Sequence, residues 1–320
     1  MKIEWKSSKD DKKYWITEFV TKVTWSGADT QASRSLEFDV VNTPFDKSMS
    51  VPVLSGGDII IFYDDAGVAR FEGRITGKNK LSEVGVRTYT ARDYMHNLVQ
   101  SKASYKFNKK TPEYITKAIC KDIGISAGTI VATKKKLKKY VAQGESTYDI
   151  INKAYKKAKT GKKYLLAMNG KKFTVVKRGG AIANFHLDST KDIINMEFTE
   201  NADSMVNQVA IYNKNNKKTL HETRKNTSWI KLYGIYQDVM DIDKKQKKAS
   251  KSDKTDAKKQ LEGVDKKCTC EAIGDIACVS GRAVTILDTA TNTSAEFWIK
   301  SDTHEWENGI HTMTLELSFK

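Results

Sequence analysis

Apolar and polar positions alternate with a period of two along much of this chain. Leu36, Phe38 and Val40 alternate with Glu37 and Asp39, which predicts a strand with one buried face and one wet face. Trp15, Phe19, Val23 and Trp25 place large side chains across an earlier strand pair, closed by Ser26-Gly27-Ala28-Asp29. The turn cluster Ser55-Gly56-Gly57-Asp58 precedes the continuous apolar run Ile59-Ile60-Ile61-Phe62-Tyr63, which reads as a buried strand. Asp64-Asp65-Ala66-Gly67 then turns the chain into Val68 through Ile75. Short strands at this spacing predict a small antiparallel barrel or sandwich over residues 1–100.

The period changes after residue 100. Thr111-Pro112-Glu113 is a helix start, with Thr111 as N-cap and Pro112 at the first helical position. Ile115, Ala118 and Ile119 form its apolar stripe, and Gly124 ends it. A second helix is expected from near Ser146, with Tyr148, Ile150, Ile151, Ala154 and Tyr155 inside and Lys153, Lys156, Lys157 and Lys159 outside. Tyr164 to Met168, Asn169-Gly170 and Phe173 to Val176 read as a hairpin, because Asn-Gly favours a tight turn. The segment 101–188 is therefore α+β.

Strands return in residues 189–320: Val209 to Tyr212, Ala283 to Leu287, Phe297 to Ile299, and a last strand where Met313, Leu315, Leu317 and Phe319 alternate with polar residues. An insertion at about 242–267, rich in Lys, Asp, Ser and Ala, reads as an exposed helix, a projecting arm or a mobile loop. One echo links the flanks. Gly57, Ile59, Ile61 and Phe71-Glu72-Gly73-Arg74-Ile75 match Gly281, Val284, Ile286 and Phe297-Trp298-Ile299 in the order turn, strand, polar turn, strand. The overall expectation is a mainly β, α+β chain: a β-barrel over 1–100, a basic α+β domain over 101–188, and a second β-barrel over 189–320.

Charge follows the same division. Residues 101–188 hold 21 Lys and Arg against 5 Asp and Glu, so 21 − 5 = +16, which equals the +16 of the whole chain. The flanks are neutral, 14 against 14 over 1–100 and 20 against 20 over 189–320. The basic module carries only Arg178 as arginine, whereas base readout and bidentate phosphate contacts favour Arg. Lys134-Lys135-Lys136-Leu137-Lys138-Lys139 reads first as a solvated face, then as a contact for an acidic protein partner or for DNA in transient contact. No apolar run approaches the roughly 20 residues that cross a bilayer, so no membrane insertion is expected. The start, Met1-Lys2-Ile3-Glu4-Trp5-Lys6, lacks the apolar stretch of a secretory signal, which predicts synthesis in the bacterial cytoplasm.

The order of motifs resembles the XkdQ/YqbQ-like family of tail hub proteins from contractile phages and phage-derived bacteriocins. The resemblance rests on Val23-Thr24-Trp25-Ser26-Gly27 with Arg34 and Leu36, on Gly57 to Phe62, on Phe71 to Ile75 and on Tyr89-Thr90-Ala91-Arg92-Asp93-Tyr94. It continues through Tyr233-Gly234-Ile235-Tyr236-Gln237-Asp238-Val239 to Gly274-Asp275, Gly281, Phe297-Trp298-Ile299, Asp302, His304, Gly309 and His311-Thr312-Met313. It implies two barrels related to the tail-tube protein in each subunit. It also implies a homotrimer that presents six barrels in a ring, joining a six-fold tail tube to a three-fold central spike among other baseplate proteins. The product would be a component of a virion or bacteriocin tail.

Catalytic signatures are missing from the sequence. His221-Glu222 is not followed by a second His at metalloprotease spacing, and no G-x-S-x-G occurs. Gly73 to Lys78 and Thr160-Gly161-Lys162-Lys163 both fail the phosphate-loop pattern. Asp302, His304 and His311 could hold a metal, but the simpler expectation is that they edge a turn and bond backbone groups. Glu145 and Asp149 read as helix N-terminal charges before a glycosidase pair. Cys120, Cys268, Cys270 and Cys278 lack zinc-site spacing and read as reduced thiols on or near strands. No catalytic, cofactor-binding or metal-ligating residue is assigned. Two other functions compete with the structural hub: a basic nucleic-acid-binding adaptor with barrel domains, and a cell-wall hydrolase.

Overall fold

A computed structural model of the chain describes residues 1–43, 46, 48, 50–79, 85–213, 216–242 and 249–319, with the side chains of 183, 184 and 216–219 outside that description. The chain forms two compact units, residues 1–196 with 269–320, and residues 197–268.

The first unit is organised by one antiparallel path of strands. Its order is Lys13–Trp15, Lys2–Lys6, Ile59–Tyr63, Ala69–Lys78, Gly85–Asp93, Gln31–Asn42, Val20–Ala28, Thr293–Glu307 and Ile310–Phe319. Among the described residues this path does not close on itself into a barrel. The expected alternation holds: Leu36, Phe38 and Val40 are buried, as are Met313, Leu315 and Leu317. Leu36, Phe38 and Val40 meet Val23, Trp25, Ile60, Phe62, Phe71, Tyr89 and Trp306 in one core. Burying a large side chain of this kind contributes about 1.5–3 kcal/mol.

The fifteen-residue strand Thr293–Glu307 connects the two ends of the chain. Along one edge it pairs first with Ala283–Asp288 and then with Val20–Ala28, while Ile310–Phe319 runs beside it on the other edge. A register shift between Ile299 and Ser301 marks the handover, and a bulge is how a strand changes twist between partners. The turn into the last strand is Asn308-Gly309, both at positive φ (51° and 79°), which suits a two-residue hairpin. Ala181–Asp188 adds a parallel partner to Ala283–Asp288.

Residues 101–188 build their own core beside this sheet. Thr111 caps Pro112–Ile123 by accepting from the Tyr114 N–H, and Gly124 ends the helix in the left-handed region (φ 74°). Ser146 caps Thr147–Lys157, whose Ile150, Ile151, Ala154 and Tyr155 are buried with Ile115, Ile119, Phe173 and Val175. The hairpin Tyr164–Asn169 with Lys172–Lys177 forms as expected, but its turn is Gly170-Lys171, one residue later than Asn169-Gly170. Patterning misses Lys102–Lys110 and Leu137–Ser146, a lysine-rich antiparallel pair with mostly exposed side chains.

The second unit is α+β. Gln208–Asn213 lies between antiparallel Asn216–Lys225 and parallel Gln237–Ile242. Within the 242–267 insertion, residues 243–248 lie outside the described residues, and Lys251–Lys259 is a helix opened by a Ser250–Asp253 capping box. Most of the helix is exposed, as the first of the three readings has it, but it buries Ala257, which packs with Ala249, Val209, Ile211 and Ile242. Alanine is small enough to seat a polar helix on a sheet, a signal that hydrophobic periodicity does not weigh.

Candidate functional site

Asp302 and His304 do not edge a turn. Both lie within Thr293–Glu307, fully buried, where the strand crosses onto Val20–Ala28. Arg34 Nη1 donates to Asp302 Oδ1 at 3.0 Å, Arg34 Nη2 donates to Oδ2, and the Ser280 N–H donates to Oδ1 at 2.6 Å. The guanidinium lies 3.9 Å from the Trp25 ring centre and over Gly27, where any Cβ would collide with it. A bidentate pair stacked on an aromatic face holds Arg in one pose.

The histidines complete this joint. His304 Nε2 donates to the Cys278 carbonyl at 3.0 Å, so its Nδ1 accepts from His311 Nε2 at 3.1 Å. That relay needs the His304 ring neutral, with Nδ1 unprotonated. Burial pushes His304 below the usual histidine range, and burial together with the His304 ring pushes His311 down to about 4. The His311 ring stacks on Trp306 at 4.0 Å and packs against Gly274, where a Cβ would overlap it. Among the described residues no group of three or more His, Cys, Asp or Glu is arranged to hold a metal ion. Nearby, burial lifts Asp93 to about 6 despite hydrogen bonds from Ser33 Oγ and the Arg34 and Met95 N–H groups.

The turn Ser55 to Asp58 is a second polar anchor. Buried Asp58 accepts from Trp5 Nε1, from Ser8 N–H and Oγ, and from Ser55 N–H at 2.7–2.9 Å. Burial alone would raise its pKa, but these donors outweigh it and hold the carboxyl below its ordinary value.

Two open surfaces remain. In the second unit, the helix Thr227–Tyr233 buries no residue. Leu232 (75% exposed), Ile235 (62%), Val239 (50%) and Tyr236 (42%) form an apolar face at its end. Buried Asn207 fixes this segment, donating to the Gly234 carbonyl at 2.8 Å and accepting from the Tyr236 N–H at 2.9 Å. In the first unit, a cavity of about 740 Å³ opens between the sheet and the end of Thr147–Lys157. Sequence reading found neither surface, although it singled out Tyr233 to Val239 and Thr160 to Lys163.

The other sequence candidates are separate. Glu145 pairs with Lys153 at 2.8 Å, and Asp149 exchanges hydrogen bonds with Ser146 at the helix start. Glu222 pairs with Arg224 and Lys254. All four cysteines are buried, with Cys120 on a helix rather than a strand. Lys134, Lys135, Lys136, Lys138 and Lys139 are exposed, while Tyr140 and Tyr155 belong to the core. Among the described residues no helix is long and apolar enough to cross a membrane.

The sequence model of the YqbQ-like family matches residues 23–318. Two Bacillus subtilis (strain 168) proteins align over 308 residues, 95% of this chain and 93% of each relative. They are the uncharacterized protein YqbQ (26% identical) and the phage-like element PBSX protein XkdQ (24%). The crystal structure of the 43 kDa tail protein of prophage MuSo2 from Shewanella oneidensis has a similar fold. Its TM-score is 0.71 at 12% identity, covering 99% of this chain and 97% of that one.

Proposed function

The chain belongs to the YqbQ-like family, and from that premise we propose that it is a structural baseplate hub joining a six-fold tail tube to a three-fold central spike. The observation that supports this reading is the long strand Thr293–Glu307, which pairs with strands from both ends of the chain, Ala283–Asp288 and Val20–Ala28. In a homotrimer, two tube-like halves per chain make six similar faces on a three-fold assembly. The segment 101–188, which carries the chain's whole charge excess, stands between them.

The joint of Arg34, Asp302, His304 and His311 then serves rigidity. A hub that carries load needs its two halves fixed, and a buried charged pair tolerates only one register. The apolar face at Leu232, Ile235, Tyr236 and Val239 supplies a subunit or neighbour contact, since contiguous exposed apolar surface marks interaction sites.

Light scattering across concentration and salt tests this reading, with negative-stain imaging of the chain mixed with tail tube. A mass near three times 36.1 kDa with rings that cap tube ends is the expected result. A monomer at every concentration that also fails to cap tubes would remove the hub.

A further inference from the structure

The cavity between the sheet and the end of Thr147–Lys157 is lined by eight cationic side chains and only two acids, Asp29 and Asp93. The two acids offset only part of that charge: Asp29 is taken up by Arg178, and Asp93 is buried against Ser33 Oγ and the Arg34 N–H. Three of the four wall arginines are occupied by acids, Arg34 on Asp302, Arg70 on Asp64 and Arg178 on Asp29, while Arg282 donates only to the Ala277 carbonyl at 3.4 Å. The rest of the cationic lining is lysine. Lys156, Lys159 and Lys162 are exposed at the cavity, and among the described residues none has an ion-pair partner. Lys159 and Gly161 both take positive φ (46° and 72°), so the chain turns sharply as it leaves the helix between these lysines.

We propose that this cavity binds an acidic peptide segment, a loop or terminus of a partner protein rich in Asp or Glu. A volume of about 740 Å³ lies within the range of clefts that enclose a ligand, and it is too small for a nucleic-acid duplex. The unpaired charges are spaced along the chain at 156, 159 and 162, which suits carboxylates distributed on a peptide better than one compact phosphate. Phosphate clamps use Arg forks or the backbone N–H groups of a helix start, whereas here three of the four arginines are engaged by acids and the helix lines the cavity with side chains from Tyr148 to Lys156. Lysines on flexible stems follow a peptide's carboxylates without demanding one geometry. The cavity and its charges exist whether or not the chain caps a tube.

The test uses the full chain and a fluorescein-labelled hexaglutamate peptide, read by fluorescence anisotropy at about 50 mM salt, where exposed charges are weakly screened. Inorganic triphosphate and a single-stranded oligonucleotide compete in parallel. K156Q/K159Q/K162Q should weaken peptide binding about tenfold, the sum expected from three exposed ion pairs. K135Q/K136Q/K138Q, on the outer lysine run, should change it less than about twofold. Matching thermal unfolding curves for both variants would show that each is folded. Absence of binding, equal weakening by both variants, or tighter binding of triphosphate or oligonucleotide than of peptide would each overturn the proposal.

Discussion

Arg34 and Asp302 lie 268 residues apart in the chain and meet across the intervening strand Val20–Ala28, over Gly27, joined through both terminal guanidinium nitrogens. Asp302 is inaccessible, so its charge is affordable only while Arg34 and the Ser280 N–H are in place.

Removing one partner should therefore cost more than removing both. Asp302→Ala leaves a guanidinium uncompensated and should lower stability by about 3–5 kcal/mol in urea unfolding. R34M/D302L should recover much of that loss. A double variant as unstable as the single would show that packing, not charge, dominates here.

Asp58→Ala should cost about 2–4 kcal/mol, because four donors lose their acceptor in a part-buried turn. The wild-type carboxyl titrates below its unfolded value, so its contribution is full above about pH 4 and lost as pH falls through the folded pKa. The variant's unfolding midpoint should change less than wild type over that acid range.

His311 acts at milder acidity. Its pKa is depressed to about 4 by burial and by the His304 ring, so the unfolded chain takes up the proton first. The contribution is complete above about pH 6.5 and declines as pH falls toward 4. Asp93, lifted to about 6, changes in the opposite sense in part of this window. The informative quantity is thus wild type minus His311→Asn, and that difference should shrink on acidification. A constant difference from pH 7 to pH 4 would contradict the lowered His311 pKa.

The apolar face of the second unit should matter for assembly and little for folding. L232D/I235D alters two side chains already 75% and 62% exposed, so stability should move by no more than about 0.5 kcal/mol. Light scattering should nevertheless show a smaller mass than wild type at equal concentration.

Local signals were legible where they act alone. Thr111, Pro112, Gly124 and Ser146 announce their helix ends, and the alternation at Leu36 to Val40 or Met313 to Leu317 announces its buried face. The joint was not legible, though Arg34, Asp302, His304 and His311 were all singled out. Nothing local says that strands near residues 25 and 304 are neighbours. A charged residue on a strand reads as wet until its distant partner is known, which is why Asp302 and His304 were placed at a turn. The pair Lys102–Lys110 and Leu137–Ser146 was missed although Ala103, Tyr105 and Phe107 alternate with exposed residues, because their half-exposed face carries no strong burial signal.

The strand Thr293–Glu307 also sets a timetable. During synthesis, Val20–Ala28 emerges early, yet one of its two hydrogen-bonded edges stays unfilled until about residue 307 has left the ribosome. Through that interval the growing chain exposes an edge able to recruit the same edge of another nascent copy. Pairing so distant in sequence is slow to form. Yield in a cell should thus depend on translation speed and chaperone supply more than on the stability of the finished protein.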